Sequence, residues 1–256
     1  MSTPEPLPQQ VLESFNDVFS WYDGPMFLVY ILNTHDIIPD DMKPIAVGPL
    51  AAEQALAREL AVPGSSSLGS MDPFRIPNMI LMARSAHALG RGLIDDNADI
   101  RGEMRGILGL YKTLVYTEVI TKTVKSTVYR VRPNQSDTRS FFSGHTSATF
   151  AASSYLNREI DDALLRWSVL DDYPLLRTTL RGGAFAALYG WASYVGYSRM
   201  RDNHHYLLDV LIGAAIGTLM GNFIYDSVSG SGSDYFPDIG IHSSENGPQL
   251  SVTVAL

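Results

Sequence analysis

The sequence contains no cysteine among its 256 residues. Disulfide bonds, thiolate zinc sites and cysteine nucleophiles are therefore excluded. An excess of positive charge is also absent, since the formal net charge is -8 at pH 7. This balance argues against nonspecific binding to nucleic acid, and we expect no nucleic-acid partner. No feature of the sequence indicates an oligomeric state.

A secretory signal is lacking as well. The chain begins Met-Ser-Thr-Pro-Glu-Pro, without the basic segment and the apolar segment that such a signal needs. This start is compatible with a cytoplasmic protein. It is equally compatible with a mature chain whose export signal has been replaced by a start methionine.

Hydrophobic residues are plentiful, at 45% of the chain, and can form one large core. Length leaves one or two domains open, and we expect one, with an all-α fold. Residues 1–228 are predicted to form a helical bundle, and a Gly/Ser-rich tail follows over 229–256. Apolar and polar residues alternate at the end of that tail, which predicts a short irregular or β-like segment.

The predicted elements follow from apolar periodicity and from helix-breaking residues. Two helices separated by a break are expected in 9–33, and Met79, Met82 and His87 are expected in the core. Helices are predicted over 51–62, 74–93 and 100–131, a further helix begins near Ser143, and 157–181 is predicted to be a solvent-exposed excursion.

The two most apolar runs are 182–197 and 206–225, and each is long enough to raise the question of a membrane span. Mean hydropathy is only +0.01. This value favours core helices of a soluble bundle, with contact to a membrane limited to its periphery.

His205 and Asp209 stand at the start of the second apolar run. If the chain is helical from Asn203 onward, residues four apart share one face. A carboxylate beside an imidazole fixes the ring tautomer and leaves a lone pair on the other nitrogen. His205 is therefore a candidate nucleophile. The alternative is that His205 caps a buried helix and Asp209 only satisfies its hydrogen bond.

Lys125 and Arg132 are seven residues apart and would return to one face of a helix, about 10 Å apart along its axis. Both side chains are long enough to converge on one anion. Pro133 disfavours helix at Arg132, so that this arginine is expected at a helix end. Seven cations lie in or beside these motifs despite the acidic background, a pattern that suits a small anionic substrate: Lys122, Lys125, Arg130, Arg132, Arg139, Arg199 and Arg201.

Ser143, Gly144 and His145 precede an Ala-rich run that is predicted to be helical. Glycine lets the backbone approach a ligand closely, and the amides at a helix start point outward to bind an anion. His145 would then stand beside the bound group.

These stretches together resemble the signature of the type 2 phosphatidic acid phosphatase superfamily, which also contains bacterial class A acid phosphatases and vanadium-dependent haloperoxidases. Lys125 precedes Arg132-Pro133 with six residues between, and Ser143-Gly144-His145 follows. Five residues then separate Ser198-Arg199 from His205, and three residues separate His205 from Asp209. Three elements in the right order and spacing make the resemblance specific over 125–209.

The resemblance implies a helical bundle and a role for each motif residue. Lys125, Arg132 and Arg199 would hold phosphoryl oxygens, with Ser143 and the Gly144 amide completing the cradle. His205, oriented by Asp209, would form a phosphohistidine. His145 would protonate the leaving oxygen and then activate water. No metal is implied, and vanadate is expected to bind as a mimic of phosphate or of the transition state.

The mechanism requires neutral His205 together with cationic His145. The pH dependence of activity should therefore be bell-shaped, with its optimum between the two apparent pKa values. One departure from the family pattern is Phe142, which stands where proline is usual. Packing of this phenylalanine would then have to hold the turn that proline would pre-set.

The implied function is hydrolysis of a phosphate monoester of a small molecule or, as the aromatic residues near the motifs favour, of a lipid. The implied location is the periplasm or the periphery of a bacterial membrane. Two alternatives stay open. One is a vanadium haloperoxidase, although such enzymes are typically far longer. The other is a noncatalytic protein that binds phosphate or a lipid phosphate.

Overall fold

The computed structural model describes residues 5–34, 45–62, 64–95, 97–230, 238–244 and 247–253. In these residues the chain forms eight α-helices, and the predicted all-α class is confirmed. The helices are α1 (Leu7–Val18), α2 (Asp23–Thr34), α3 (Ala51–Leu60), α4 (Arg75–Ile94), α5 (Arg101–Thr127), α6 (Gly144–Arg166), α7 (Pro174–Arg201) and α8 (Leu207–Ser229). The strands are β1 (Ile45–Ala46), β2 (Val128–Tyr129), β3 (Asp238–Ser244) and β4 (Gly247–Thr253).

Helices α6 and α8 pack backbone against backbone. Three glycines on α8, four residues apart, face α6, and a Cβ on Gly217 would lie 2.2 Å from the carbonyl oxygen of Ser147. Equivalent Cβ atoms on Gly213 and Gly221 would lie 2.8 Å from the carbonyl oxygen of Ser143, just before α6, and 2.5 Å from that of Ala151. The lack of side chains at these glycines permits this close approach, which brings the starts of both helices together.

The main core lies where α5, α6 and α8 meet. Its centre is Tyr155, whose ring packs edge-on against Tyr225 with centroids 5.5 Å apart. The buried members of this cluster are Val18, Leu110, Leu114, Ala152, Tyr155, Leu156, Ile224, Tyr225 and Val228.

A buried ion pair fastens the junction of α1 and α2 to α5. Lys112 donates hydrogen bonds to the Val18 carbonyl at 2.9 Å and to Asp23 at 3.0 Å. The Tyr116 hydroxyl also donates to Asp23. Because both charged groups are buried, this pairing offsets a desolvation penalty that either charge alone would carry.

The prediction of one helix over 100–131 is wrong at its C-terminal end. Helix α5 ends at Thr127, and β2 pairs in parallel with β1. β-branched and aromatic residues occupy this position and favour extended structure. Arg132 therefore follows an extended segment and does not lie at a helix end. The prediction that Lys125 and Arg132 share one helical face is also wrong.

The predicted excursion over 157–181 is mostly helical. Helix α6 continues to Arg166 and α7 begins at Pro174, so the non-helical connection covers 167–173 and includes one short 3-10 turn. The charged residues are not loop residues but lie on helix surfaces, as in the pair between Arg166 and Asp162 at 2.9 Å. Charge alone did not distinguish an exposed helix face from a loop.

Helix α4 has the predicted extent, but its side chains do not lie where we expected. Met79 is 62% exposed and Met82 73% exposed. The side chain of His87 is 67% exposed. These three residues are therefore surface residues and not core residues.

Among the described helices, α8 is the one that is long and apolar enough to cross a membrane. Its mean hydropathy is 1.8, and 33% of the apolar stretch is buried inside the protein. Length and composition do not distinguish a core helix from a membrane span. Of the two apolar runs in the sequence, only the second meets this criterion in the described chain.

The C-terminal tail contains a hairpin, in which β3 pairs antiparallel with β4. Ile241 lies opposite Leu250 in the register. The predicted β-like character of the tail is confirmed, and the partner strand is supplied by the tail itself.

Candidate active site

The start of α6 forms one wall of the site. Ser143 is the N-cap, and its hydroxyl oxygen accepts hydrogen bonds from the Thr146 amide at 3.4 Å and from the Thr146 hydroxyl at 2.9 Å. A Cβ on Gly144 would lie 3.2 Å from Thr121 and 3.7 Å from the Lys125 side chain. The absence of a side chain at Gly144 therefore lets the first turn of α6 approach Lys125.

Phe142 fills the position before the N-cap. Its side chain is fully buried, and its ring packs edge-on against Phe141 with centroids 6.1 Å apart. Packing holds this turn, as expected from the lack of proline there.

Two cations approach the site from the end of α5 and the segment after β2. Lys125 donates a hydrogen bond of 2.7 Å to the Arg139 carbonyl. Arg132 donates to Asp137 at 2.7 Å and to the His204 carbonyl at 3.4 Å. These contacts fix the two long side chains, so that less conformational entropy is lost when an anion binds.

His205 does not lie in a helix, contrary to the prediction. Helix α7 ends at Arg201, Asn203 has a φ of 61°, and α8 begins only at Leu207. Nδ1 of His205 nevertheless lies 3.7 Å from Asp209, while Nε2 lies 3.4 Å from Nη1 of Arg132. The expected pairing of the imidazole and the carboxylate is present, although a capped helix start and not a helical face creates it.

Asp209 is fully buried near the first turn of α8. One carboxylate oxygen accepts hydrogen bonds from the Ser140 hydroxyl at 2.6 Å and from the Tyr206 amide at 2.9 Å. Burial favours the neutral acid, but His205, these two donors and the Arg130 guanidinium hold the pKa of Asp209 below its usual range. A negative charge is therefore retained beside the imidazole.

Arg199, on the last turn of α7, is buried and donates a hydrogen bond of 3.0 Å to the Ser70 hydroxyl. Ser70 in turn donates to Asp202 at 2.5 Å, as do Ser65 at 2.7 Å and Ser67 at 2.8 Å. Burial opposes the charge on Asp202, but these hydroxyls lower its pKa. The segment between α3 and α4 thus holds Arg199 in place.

The site is electropositive and partly desolvated. Burial is the main cause that lowers the pKa of His205 to about 3. Asp209 opposes that shift, while Lys125 and Arg132 add to it. Burial lowers the pKa of His145 to about 4, with Arg199 and Lys125 acting in the same direction. Both imidazoles therefore lie within the field of the cations, and both are neutral in the unliganded site at neutral pH.

Lys125 responds to the same surroundings. Burial lowers its pKa to about 8, and the positive charge of Arg132 contributes. A bound dianion would raise the pKa values of Lys125 and His145 again, because it favours the charged forms of both side chains. The arrangement is therefore suited to an anionic ligand.

Two clefts adjoin these residues. A cleft of about 200 Å³ lies beside Lys125 and His145 and includes the apolar side chains of Pro73, Phe74 and Ala148. A second cleft of about 580 Å³ is lined in part by Arg132. Within the described part of the chain, no three His, Asp or Glu side chains are grouped to hold a metal ion.

The structure thus gathers all eight residues predicted for the site, although Ser143 is engaged in capping α6. Sequence reasoning missed Glu53 and Ser70 and assigned no structural role to Arg130 or Asp202. Arg130 and Glu53 form a buried ion pair of 2.8 Å beneath Asp209. The sequence analysis included Arg130 only as one of the cations in or beside the motifs, and no local signal marks Glu53.

Together the fold and the site define a helical protein whose anion-binding site is lined by cations and contains two histidines and a buried carboxylate. The family model described as PAP2 superfamily matches residues 113–232. The matched residues make up just under half of the chain, and they contain the motifs whose spacing resembles this superfamily.

Two curated relatives match parts of the chain. Lipid A 1-phosphatase of Porphyromonas gingivalis is 33% identical over 96 residues, which are 38% of this chain and 18% of that protein. Diacylglycerol pyrophosphate phosphatase 1 of Saccharomyces cerevisiae is 37% identical over 83 residues, which are 32% of this chain and 27% of that protein. The matched regions thus span only about a fifth and about a quarter of these relatives.

A solved structure is also similar. It is the crystal structure of a transmembrane PAP2 type phosphatidylglycerolphosphate phosphatase from Bacillus subtilis, with a TM-score of 0.46 and 16% identity. The likeness covers 78% of this chain and 92% of that chain.

Proposed function

We propose that this protein is a metal-independent phosphatase that hydrolyses a phosphate monoester of a lipid through a phosphohistidine intermediate. The observation that carries the proposal is the orientation of His205. Its Nδ1 faces Asp209 and its Nε2 faces the guanidinium of Arg132. When the proton is on Nδ1, Nε2 carries a free lone pair. This lone pair points toward the position at which Arg132 would hold a phosphoryl group.

In the first step, Nε2 of His205 attacks phosphorus and the bond from phosphorus to the ester oxygen breaks. His145 gives its proton to the leaving oxygen, which departs as the alcohol. The pKa of His145 is only about 4 in the free site. A bound phosphate dianion raises this pKa and so favours the protonated form of His145.

In the second step, neutral His145 takes a proton from water as the water oxygen attacks phosphorus. The bond from phosphorus to Nε2 breaks, and inorganic phosphate leaves. General acid-base assistance of this kind typically contributes about 10² to 10⁴ in rate. Once phosphate has left, His145 loses this proton at neutral pH and regains one when the next phosphate dianion binds.

Lys125, Arg132 and Arg199 neutralise the charge on the nonbridging oxygens. The first N–H groups of α6, including that of Gly144, have no partner within the helix and can donate to the same oxygens. Ser143 contributes by fixing this helix start. In this proposal the three cations provide the charge neutralisation that a metal ion would otherwise supply.

A lipid substrate is supported by two independent observations. The cleft beside His145, on the side of the leaving oxygen, contains apolar side chains. In addition, both curated relatives are named as phosphatases of lipids. Apolar side chains exposed on α4 and the apolar composition of α8 support contact with a membrane. A periplasmic location stays a prediction from the sequence resemblance.

The test is phosphate release from phosphatidic acid in detergent micelles and from p-nitrophenyl phosphate, with EDTA present. We expect turnover that prefers the lipid, survives EDTA and disappears in His205→Asn. His87→Asn, an exposed histidine on α4, is the matched control and should retain activity. A base-stable, acid-labile phosphoprotein should be trapped from wild type by an alkaline quench.

Near-normal turnover by His205→Asn, or complete inhibition by EDTA, would contradict the proposal. Vanadate-dependent oxidation of halide by peroxide without phosphate release would favour a haloperoxidase. Saturable phosphate binding without turnover of any ester would favour a binding protein.

A further inference from the structure

The Glu53 carboxylate joins three parts of the chain beneath the site. Oε2 accepts a hydrogen bond from the Leu50 amide at 2.9 Å and one from the Arg130 guanidinium at 2.8 Å. Oε1 accepts from the Leu208 amide at 3.0 Å. Glu53 therefore caps its own helix, α3, and also the first turn of α8, which begins two residues after His205.

Arg130 is 1% exposed and lies between two aromatic rings, 5.9 Å from the centroid of Phe141 and 5.1 Å from that of Tyr206. Its Nε lies 3.2 Å from Oδ1 of Asp209. Its amide donates to the Thr138 carbonyl. Packing between the rings and pairing with the two carboxylates therefore restrict the position of this guanidinium.

Three buried polar atoms in this region lack a hydrogen bond: Nε of Arg130, Oδ1 of Asp209 and Nδ1 of His205. Nε of Arg130 lies 3.2 Å from Oδ1 of Asp209, whereas Nδ1 of His205 lies 3.7 Å from the other carboxylate oxygen, Oδ2. Buried groups of this kind are rare in native proteins and call for an explanation such as a catalytic role. Catalytic contacts are often long in unliganded sites and shorten when substrate binds.

We propose that Glu53 and Arg130 are positioning residues for the His205 nucleophile. Glu53 holds Arg130 and the start of α8, Arg130 holds Asp209, and Asp209 orients the imidazole. Neither residue reaches the phosphoryl group. Glu53 lies outside the region 113–232 that matches the family model, so that α3 completes the site from a separate part of the chain. This inference rests on the proposed nucleophilic role of His205.

The arrangement has an electrostatic reason. Asp209 must keep its charge to orient His205, but an unpaired buried carboxylate is costly. Arg130 offsets that cost, and Glu53 in turn balances Arg130 and keeps it from pulling Asp209 away from the imidazole. Loss of either residue should change the placement of His205 more than it changes the three cations that hold phosphate.

The test uses two probes of the purified full chain. The affinity for inorganic phosphate reports on the residues that hold the anion. The affinity for orthovanadate reports on the same residues and, in addition, on a bond from vanadium to Nε2 of His205. We expect Glu53→Gln and Arg130→Gln to weaken orthovanadate binding by about 10- to 100-fold, because a misplacement near 1 Å can cost about 10². Phosphate affinity should change little, and kcat should fall in parallel with orthovanadate affinity.

Stability needs a separate control, because Arg130 is buried and its single variant risks misfolding. Glu53→Gln/Arg130→Met replaces the ion pair with neutral groups, and such replacements are often neutral or stabilising. We expect this double variant to be more stable than Arg130→Gln, because it leaves no unpaired charge at position 53, while its orthovanadate affinity stays low. Asp23→Asn breaks the buried pair with Lys112, far from His205, and should lower stability without changing the ratio of orthovanadate to phosphate affinity.

Recovery of orthovanadate affinity and kcat together with stability would show that the pair is purely structural and would overturn the inference. Unchanged orthovanadate affinity in folded Glu53→Gln would do the same. Wild type that binds orthovanadate but hydrolyses no phosphate ester would refute the proposed function and leave the positioning role intact. Wild type that binds no orthovanadate would refute both.

Discussion

Nη1 of Arg132 lies 3.4 Å from Nε2 of His205 in the unliganded site. The guanidinium is held from behind by Asp137, at 2.7 Å from its Nε. The proposed nucleophile and one cation of the site are therefore adjacent. A phosphoryl group that enters must insert between them and exchange this weak contact for charge-assisted hydrogen bonds.

The first prediction concerns the geometry of that guanidinium. Lysine keeps the positive charge of Arg132 but cannot pair with Asp137 and reach a phosphoryl oxygen through one planar group. We expect Arg132→Lys to lower kcat/KM by on the order of 10², the range for loss of one charge-stabilising donor. Steady-state kinetics with phosphatidic acid measure this. Arg201→Lys, at an exposed arginine of α7, is the control, and equal activity of both variants would contradict the prediction.

The second prediction concerns pH. Activity requires neutral His205, whose pKa is about 3, and protonated His145, whose pKa is about 4. For the free enzyme, kcat/KM should rise as pH passes the first value and fall as pH passes the second, which gives an optimum below pH 5. The falling limb of kcat should lie at higher pH, because bound phosphate raises the pKa of His145. Coincident limbs in the two profiles would contradict this account.

The third prediction concerns Asp202, which accepts hydrogen bonds from three serine hydroxyls. Asp202→Asn should release Ser70 from its present position and so loosen Arg199. We expect a higher KM and weaker phosphate binding with a smaller change in kcat, since Arg199 holds substrate and is not the nucleophile. Stability should fall by about 1–3 kcal/mol, the usual penalty for unsatisfied buried groups. Urea unfolding and phosphate titration test both effects, and wild-type phosphate affinity would refute the link.

Asp202 also makes the pH dependence of stability predictable. Its pKa is lowered in the folded protein. It therefore stabilises the fold above its unfolded pKa of about 3.9, and this contribution is lost as pH falls through the lower folded value. Asp202→Asn should remove that part of the acid sensitivity, which urea unfolding at several pH values would measure.

The fourth prediction concerns the contact between α6 and α8. Gly217→Ala would place a Cβ 2.2 Å from the Ser147 carbonyl oxygen. The two backbones must separate, and overpacking of this kind costs about 1–3 kcal/mol. Gly183→Ala on α7 is the matched control, since a Cβ there meets nothing within 4 Å. It should stabilise the protein by about 0.5–1 kcal/mol through helix propensity. Equal unfolding midpoints for the two variants would contradict this packing model.

Local sequence predicted most helices because apolar periodicity and breaking residues act over a few positions. It failed where tertiary pairing outweighs local preference. Residues 128–131 were predicted as helix, yet β2 forms because Ile45 and Ala46 supply a partner. The charged stretch at the end of α6 was predicted as excursion, because charge patterning does not distinguish an exposed helix from a loop.

The sequence by itself determined the resemblance to the PAP2 superfamily and the choice of candidate site residues, since Lys125, Arg132, His145, His205 and Asp209 carry chemistry through residue type and spacing. Only the tertiary structure decided how they meet. His205 reaches Asp209 from a non-helical turn, and Glu53 reaches Arg130 across 77 positions of the chain. A buried ion pair depends on the desolvation of its two charges and on which distant residues the fold brings together. The spacing of a local motif contains neither kind of information.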